Sequence, residues 1–355
     1  MRGPAASAAA PPPAWPRRLP RRGPVLVPRN GPFLAVTGTG LPADDLLKPD
    51  GAVKVSRSGG SAPVSEDRPI ADSYNDHNPL FHALRHVGWG DLVNIGWFTA
   101  PTLPLLLGGL GPFQRRLLRR SLSLLDARPG HRVLDACCGR GLSTAVLGRA
   151  GCDALGVDVQ PEQVAQARRR FGDAPNTRFE VADVAALPVA DASVDRVHCL
   201  EAAFHLGPEG RRAFLAECSR VLRPGGRLVL VDLTWRDPDP GTIDLVDPHR
   251  VVRTTWSFTE VEPVGRYPVR AREAGFAVRA AHDWTRHVLG LPLRLAGPAL
   301  RLAATSVGRR AVCLRWPGLR ELTEDDWRRV SDNVRAHVPF AAACRYSALV
   351  LDKPA

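Results

Sequence analysis

Lysine is nearly missing from this chain of 355 residues: Lys48, Lys54 and Lys353 are the only three, so arginine carries almost all of the positive charge. A net charge of +12 and a pI near 10.2 would by themselves invite a nucleic acid, a membrane surface or an anionic ligand. Arginine in place of lysine, with abundant Ala, Pro and Gly, reads instead as the bias of a GC-rich coding sequence spread over a solvated surface. Methionine occurs only at Met1, which leaves no internal second start. Long apolar runs are also lacking: none reaches the ~18 residues of a membrane span. The best candidate, APTLPLLLGGLG from Ala100, is short and broken by Pro and Gly. Stable membrane insertion is therefore not expected, although peripheral contact stays open. No apolar stretch follows Arg17, Arg18, Arg21 and Arg22, so a secretory signal is not expected either. The seven cysteines include no zinc-type CxxC pair. An odd number without such spacing fits reduced thiols in a cytoplasmic protein, neither a disulfide framework nor a metal site.

A hydrophobic content of 44% suffices for one large α/β domain with attachments, or for two modest domains. No internal repeat is present. Residues 1–70, rich in Pro, Ala, Gly, Ser and Arg and without periodicity, read as a disordered or low-complexity extension, or as an over-extended gene start. Residues 71–128 read as a helical lid or cap: aromatics cluster from Tyr74 through Trp89 to Trp97, and GPFQRRLLRRSLSLLDARPG has the periodicity of an amphipathic helix ended by Pro129 and Gly130. Over 129–235 short apolar runs alternate with helical segments, the pattern of a doubly wound, mostly parallel sheet with helices on both faces. Strands are expected at 132–136, 153–158, 177–182, 194–200 and 226–232, with helices starting near Leu142, Pro161 and Glu209. Residues 236–355 read as a substrate cover and the final strands of the sheet, with a capping-box spacing at Thr323 and Asp326. Its Arg-dotted segment, 288–316, reads as a helix with one solvated face, or as one lying against a lipid-like surface.

The strand RVLDA runs into CCGRG and then a helix, a turn that lets backbone amides approach a ligand. The nicotinamide fingerprint GxGxxG fails because Thr144 stands at its last position, and no GK[ST] follows as a P-loop would need. The informative feature is the series of acids ending successive strands: Asp135, Asp158 and Asp183. In a doubly wound sheet these ends line one crevice at the switch point. A carboxylate after the second strand is placed to accept hydrogen bonds from two ribose hydroxyls. Each such bond is worth about 1.5–3 kcal/mol.

RVLDACCGRG, GVDVQPEQVAQAR, FEVADVAALPVADASVDRVHCLEAAFHL and VLRPGGRLVLVD resemble the successive motifs of class I S-adenosylmethionine-dependent methyltransferases. The resemblance covers about residues 74–235 and implies a seven-stranded Rossmann-like sheet with S-adenosyl-L-methionine as cofactor. It further implies that the loop from Asp135 through Cys137 and Gly139 to Gly141 meets the methionine part. Asp158 and Val159 would meet the ribose side, and Asp183 with Val184 the adenine. The family usually has glycine where Cys137 stands and a small residue where Arg140 stands. Tyr74 and Trp97 resemble the segment that folds over cofactor and substrate.

Beyond the fourth strand, LEAAFHL places Glu201 and His205 at the carboxyl edge of the sheet. The stretch resembles the E-x-x-x-H of small-molecule methyltransferases, in which the histidine is a general base. His205 is the expected base, since histidine titrates near neutrality, and Glu201 is expected to serve both catalysis and cofactor. His198 reads as a satisfied core residue, and His249 and His282 as minor substrate contacts. These features suggest methylation of a hydroxyl on a small-molecule secondary metabolite. The alternative is C-methylation of an isoprenoid, sterol-like or quinone-like lipid, with Glu201 and aromatic faces stabilising a carbocation. Nucleic-acid methylation is disfavoured: LEAAFH stands where [DN]PP[YF] is expected, and there is no Pro-Cys nucleophile pair. A non-catalytic scaffold is disfavoured by the intact acids. The sequence says nothing of oligomeric state.

Overall fold

The computed structural model describes residues 78–89 and 92–355. The expected extension over 1–70 and the expected lid residue Tyr74 lie outside the described residues. The core is a seven-stranded sheet of order β3-β2-β1-β4-β5-β7-β6. Its strands are β1 Arg132–Ala136, β2 Asp153–Asp158, β3 Thr177–Val181, β4 Val194–Leu200, β5 Leu222–Trp235, β6 Ala277–Asp283 and β7 Cys344–Asp352. The first five are parallel, and β7 pairs antiparallel with both β5 and β6.

Strand periodicity divides the core in two. Along β1, Val133 points to one hydrophobic cluster and Leu134 to the other; along β5, Val229 and Val231 join the first while Leu228 and Leu230 join the second. Both faces are thus apolar, as parallel strands covered by helices require. The first face is covered by α2 (Gly111–Leu124), α3 (Leu142–Arg149) and α4 (Pro161–Phe171), as the positions of Leu117, Val146 and Val164 in its cluster show. The second is covered by α5 (Gly207–Val221) and α7 (Tyr267–Glu273), through Phe214 and Tyr267. The amphipathic helix read from GPFQRRLLRR is therefore a covering layer of the sheet, with Leu117, Leu118 and Leu122 fully buried.

The remaining helices form one assembly at the carboxyl edge. α1 (Pro79–His86), α6 (Val251–Trp256) and α10 (Glu324–Ala343) meet through Phe81, Trp89 and Trp256, whose rings lie 5.3–5.5 Å apart. Trp256 Nε1 donates to His337 Nε2 of α10 at 2.5 Å. α10 starts at the expected capping box, with Asp326 N donating to Thr323 Oγ1 and Thr323 N to Asp326 Oδ2. The Arg-dotted segment forms α8 (Gly290–Ala303) and α9 (Ser306–Arg315), which expose Leu302, Val307 and Leu314. Among the described residues no helix is long and apolar enough to cross a membrane.

Two elements start at other residues than expected, and β3 ends at Val181 rather than 182. β5 begins at Leu222 rather than 226, because Leu222 already pairs with Val194 ahead of an irregularity in the ladder. α5 begins at Gly207 rather than Glu209, preceded by a short 3₁₀ turn, Ala203–Leu206, that carries His205.

Candidate active site

The sheet order reverses between β1 and β4, and a cavity of about 330 Å³ opens there beyond the carboxyl ends of the strands. Asp135 is the penultimate residue of β1 and is 2% exposed. Its Oδ2 accepts from Ser143 Oγ at 2.5 Å and Thr144 Oγ1 at 2.6 Å, and its Oδ1 from His198 Nδ1 at 2.9 Å. His198 Nε2 lies 2.9 Å from Ser121 Oγ on α2, so the histidine inside β4 is a satisfied core residue. With both oxygens engaged, Asp135 chiefly holds the glycine turn against the start of α3.

That turn needs its left-handed residues. Gly141 has φ +83°, and a Cβ there would stand 2.6 Å from the Phe179 ring and 2.7 Å from Ala167 Cβ. Gly141 does not line the cavity; it lets α3 pack under it. Gly141→Ala is expected to destabilise the protein by about 2–3 kcal/mol, from left-handed strain plus overpacking, read from the urea midpoint. Cys137, where glycine is usual, adopts φ +57°, so the backbone keeps the conformation glycine favours despite the side chain. Its thiol lines the cavity.

Asp158 ends β2, 9% exposed. Gly139 N donates to its Oδ2 at 2.9 Å and Gln160 N to its Oδ1 at 3.0 Å. Burial pushes its pKa up, opposed by these two amides. Asp183, exposed after β3, accepts from Ala185 N at 2.8 Å. Val159, 53% exposed, and Val184, 3% exposed, give the same end of the cavity apolar surface.

Glu201 follows β4 with φ +52°. Its carboxylate accepts from Ile95 N at 3.1 and 3.2 Å and from the Tyr346 hydroxyl of β7. Burial raises its pKa to about 8, against the lowering effect of these donors. The Ile95 bond pins the extended segment after α1 across the cavity, where Leu92, Val93 and Asn94 form part of the wall. His205 also lines the cavity; its Nδ1–H donates to the Ser257 carbonyl at 3.3 Å, and its ring lies 4.0 Å from that of Phe204. Burial lowers its pKa to about 4, although the Ser257 and Trp256 backbone favours the charged form.

The structure brings together nine residues singled out from sequence: Asp135, Cys137, Gly139, Asp158, Val159, Asp183, Val184, Glu201 and His205 all line this one cavity. It does not bring Trp97 there. That ring is 4% exposed, stacked on His287 at 4.3 Å, edge-on to Trp284 at 5.2 Å and covered by the Arg120 guanidinium. The apolar area that suggested a lid is spent in the core. His249 and His282 are exposed and outside the lining. Sequence reasoning missed Asn94 and Gln163, which do line the cavity. Asn94 Oδ1 and Gln163 Oε1 are buried with no hydrogen-bond partner among the described residues. Such acceptors call for donors from a ligand.

S-adenosylmethionine fits this donor set. Its ammonium and amino groups match the two orphaned amide oxygens, its ribose hydroxyls match Asp158, and its purine matches the apolar surface of Val159 and Val184.

Comparison with known proteins agrees. The methyltransferase domain family matches residues 133–226. Methyltransferase GfsG of Streptomyces halstedii is 32% identical over 241 residues, 66% of this chain and 80% of that protein. The 27-O-demethylrifamycin SV methyltransferase of Amycolatopsis mediterranei is 34% identical over 177 residues, 48% of this chain and 63% of that protein's length. In fold, the chain is similar to the cyclopropane synthase MmaA2 from Mycobacterium tuberculosis, with a TM-score of 0.61 at 17% identity, over 81% of this chain and 99% of that one. A wound sheet with a carboxylate-lined crevice at its switch point defines an α/β nucleoside-cofactor enzyme. The chain belongs to the S-adenosylmethionine-dependent methyltransferase family.

Proposed function

We propose that this enzyme methylates a hydroxyl of a small-molecule secondary metabolite, with His205 as general base. The observation that carries the reading is His205 itself: a cavity-wall imidazole kept neutral by burial, with Nδ1–H committed to the Ser257 carbonyl. In that tautomer the lone pair sits on Nε2, the form that accepts a proton. The rifamycin relative, named for an O-methylation, and the natural-product setting of such names support the same acceptor chemistry.

S-adenosylmethionine, when bound, supplies a methyl group on an activated sulfonium. The residues' work is to bind, align and deprotonate. Asp158 would hold the ribose hydroxyls, Val159, Val184 and Asp183 the adenine, and the Asp135–Gly141 loop the methionine end, with the amide oxygens of Asn94 and Gln163 accepting from the cofactor's ammonium and amino groups. Glu201 anchors the segment that forms this part of the cavity wall, through Ile95 N. His205 would take the acceptor's hydroxyl proton as the oxygen attacks, and water would relieve it afterwards.

One observation favours a second reading. Glu201 is a half-buried acid in the cavity wall, and once ionised it would stabilise a carbocation during C-methylation of an isoprenoid or quinone-like lipid. The deciding experiment incubates the enzyme and isotopically labelled methyl donor with extracts, then locates the label by mass spectrometry. Label on oxygen is expected; label on a ring or chain carbon overturns the first reading.

The cofactor assignment makes a separate prediction. Asp158→Asn replaces charged acceptors by neutral ones, and S-adenosylhomocysteine should bind about 10–100-fold more weakly by calorimetry.

A further inference from the structure

We propose that His82, His86 and Glu321 form a binding site for a zinc-like divalent cation that clips α1 to the C-terminal cover. None of the three lines the cofactor cavity, and the sequence reading assigned no metal ligand. His82 and His86 stand four residues apart on α1, on one face of a helix. Their Nε2 atoms lie 3.2 Å apart, and His82 Nε2 lies 3.7 Å from Glu321 Oε2. All three donor atoms fall within 4.8 Å of one another. A tetrahedral zinc ion with nitrogen and oxygen ligands at its usual bond lengths sets ligand atoms about 3.3–3.6 Å apart. The three side chains therefore stand near the edges of such a tetrahedron, with the fourth position facing the solvent that reaches Glu321.

The surroundings hold the arrangement. His86 packs on Gly318, where a Cβ would come within 2.0 Å of Nδ1, so only glycine admits the ring. The Pro317–Glu321 turn that carries Gly318 and Glu321 leads directly into α10. Without a cation the close Nε2 pair needs one imidazole to donate to the other. With one, both lone pairs are used and the carboxylate offsets the charge. Two imidazoles and a carboxylate suit zinc better than magnesium or calcium, which prefer all-oxygen shells. The consequence is mechanical. α1 precedes the segment that Glu201 pins across the cavity, so a cation joining α1 to the turn before α10 would fasten that segment from its outer end.

The test uses the full chain, stripped with a chelator and titrated with zinc by calorimetry and with cobalt by visible absorption. One equivalent bound per chain, with tetrahedral cobalt bands, is expected. Binding should vanish in His82→Ala and in the His82→Ala/His86→Ala double variant. Zinc at a hundredfold excess over Kd should raise the wild-type Tm by about 3–5 °C and leave His82→Ala unmoved. Glu321→Gln, a change at an exposed side chain, should weaken binding about tenfold with its circular dichroism unaltered. The proposal is overturned by the absence of a stoichiometric site, by a site that survives in the double variant, or by wild-type affinity in Glu321→Gln. None of these readouts depends on methyl transfer.

Discussion

Arg211→Ala is expected to lower the unfolding free energy by about 3–5 kcal/mol, the cost of taking one charged partner from a buried carboxylate. Arg211 is 0% exposed on α5. Its Nε donates to Glu262 Oε2 at 2.8 Å and its Nη2 to Glu260 Oε1 at 2.6 Å. Glu262 is equally buried, and its other oxygen accepts from Arg270 Nε at 2.7 Å. Alanine removes one of the two guanidinium partners of Glu262 and opens a cavity beneath α7. It also removes a charge that lowers the pKa of Asp232, which burial has raised to about 7. The triple variant Arg211→Met/Glu262→Leu/Arg270→Leu should recover most of the loss, because a buried ionic triad replaced by apolar groups of similar volume is nearly neutral. Urea unfolding followed by tryptophan fluorescence measures both. A single variant within about 1 kcal/mol of wild type would show that Arg270 alone suffices for Glu262.

The sheet was legible because its strands carry the signal locally. Val133, Leu134 and Ala136 and the run Leu228–Val231 are apolar and buried on both faces, and the acids Asp135, Asp158 and Asp183 lie at or near the carboxyl end of each early strand. Glu201 and His205 were legible for the same reason, as polar residues just past an apolar strand. Other parts depend on pairings that no window of sequence contains. Trp97 looks like a lid, but its ring is claimed by Trp284 and His287 from a distant part of the chain. Asn94 and Gln163 carry no motif; one lies in an extended segment and the other on a helix, and only the fold turns their amides into the cavity. Glu321 lies far along the chain from His82 and His86, so no window of sequence holds the three together. Ser257 shows the same limit: its φ of +48° aims a carbonyl at His205 from 52 residues away.

His205→Ala should reduce kcat by about 10²–10⁴-fold while leaving S-adenosylhomocysteine affinity unchanged, the signature of a lost general base. The pH profile separates this from the carbocation reading. A base with a pKa near 4 is already unprotonated above about pH 5, so activity through His205 should be level from there towards neutrality and fall only below it. Glu201, with a pKa near 8, is mostly protonated at neutrality. A mechanism needing its anion would gain activity as pH rises through about 8. In its neutral form Glu201 still has an oxygen to accept from Ile95 N, so Glu201→Gln should preserve that anchor and most of the turnover under base-assisted O-transfer. The stability linkage of the two groups has opposite signs. Glu201, raised on folding from 4.5 to about 8, contributes stability that is complete below about pH 4.5 and is lost as pH climbs from there through about 8. His205, lowered on folding, costs stability as pH falls from about 6.5 towards 4. Glu201 linkage therefore changes stability throughout about pH 4.5–8, so rates are compared only with folding checked at each pH. A wild-type profile that climbs through pH 8, together with inactivity of Glu201→Gln, would move the chemistry from His205 to Glu201.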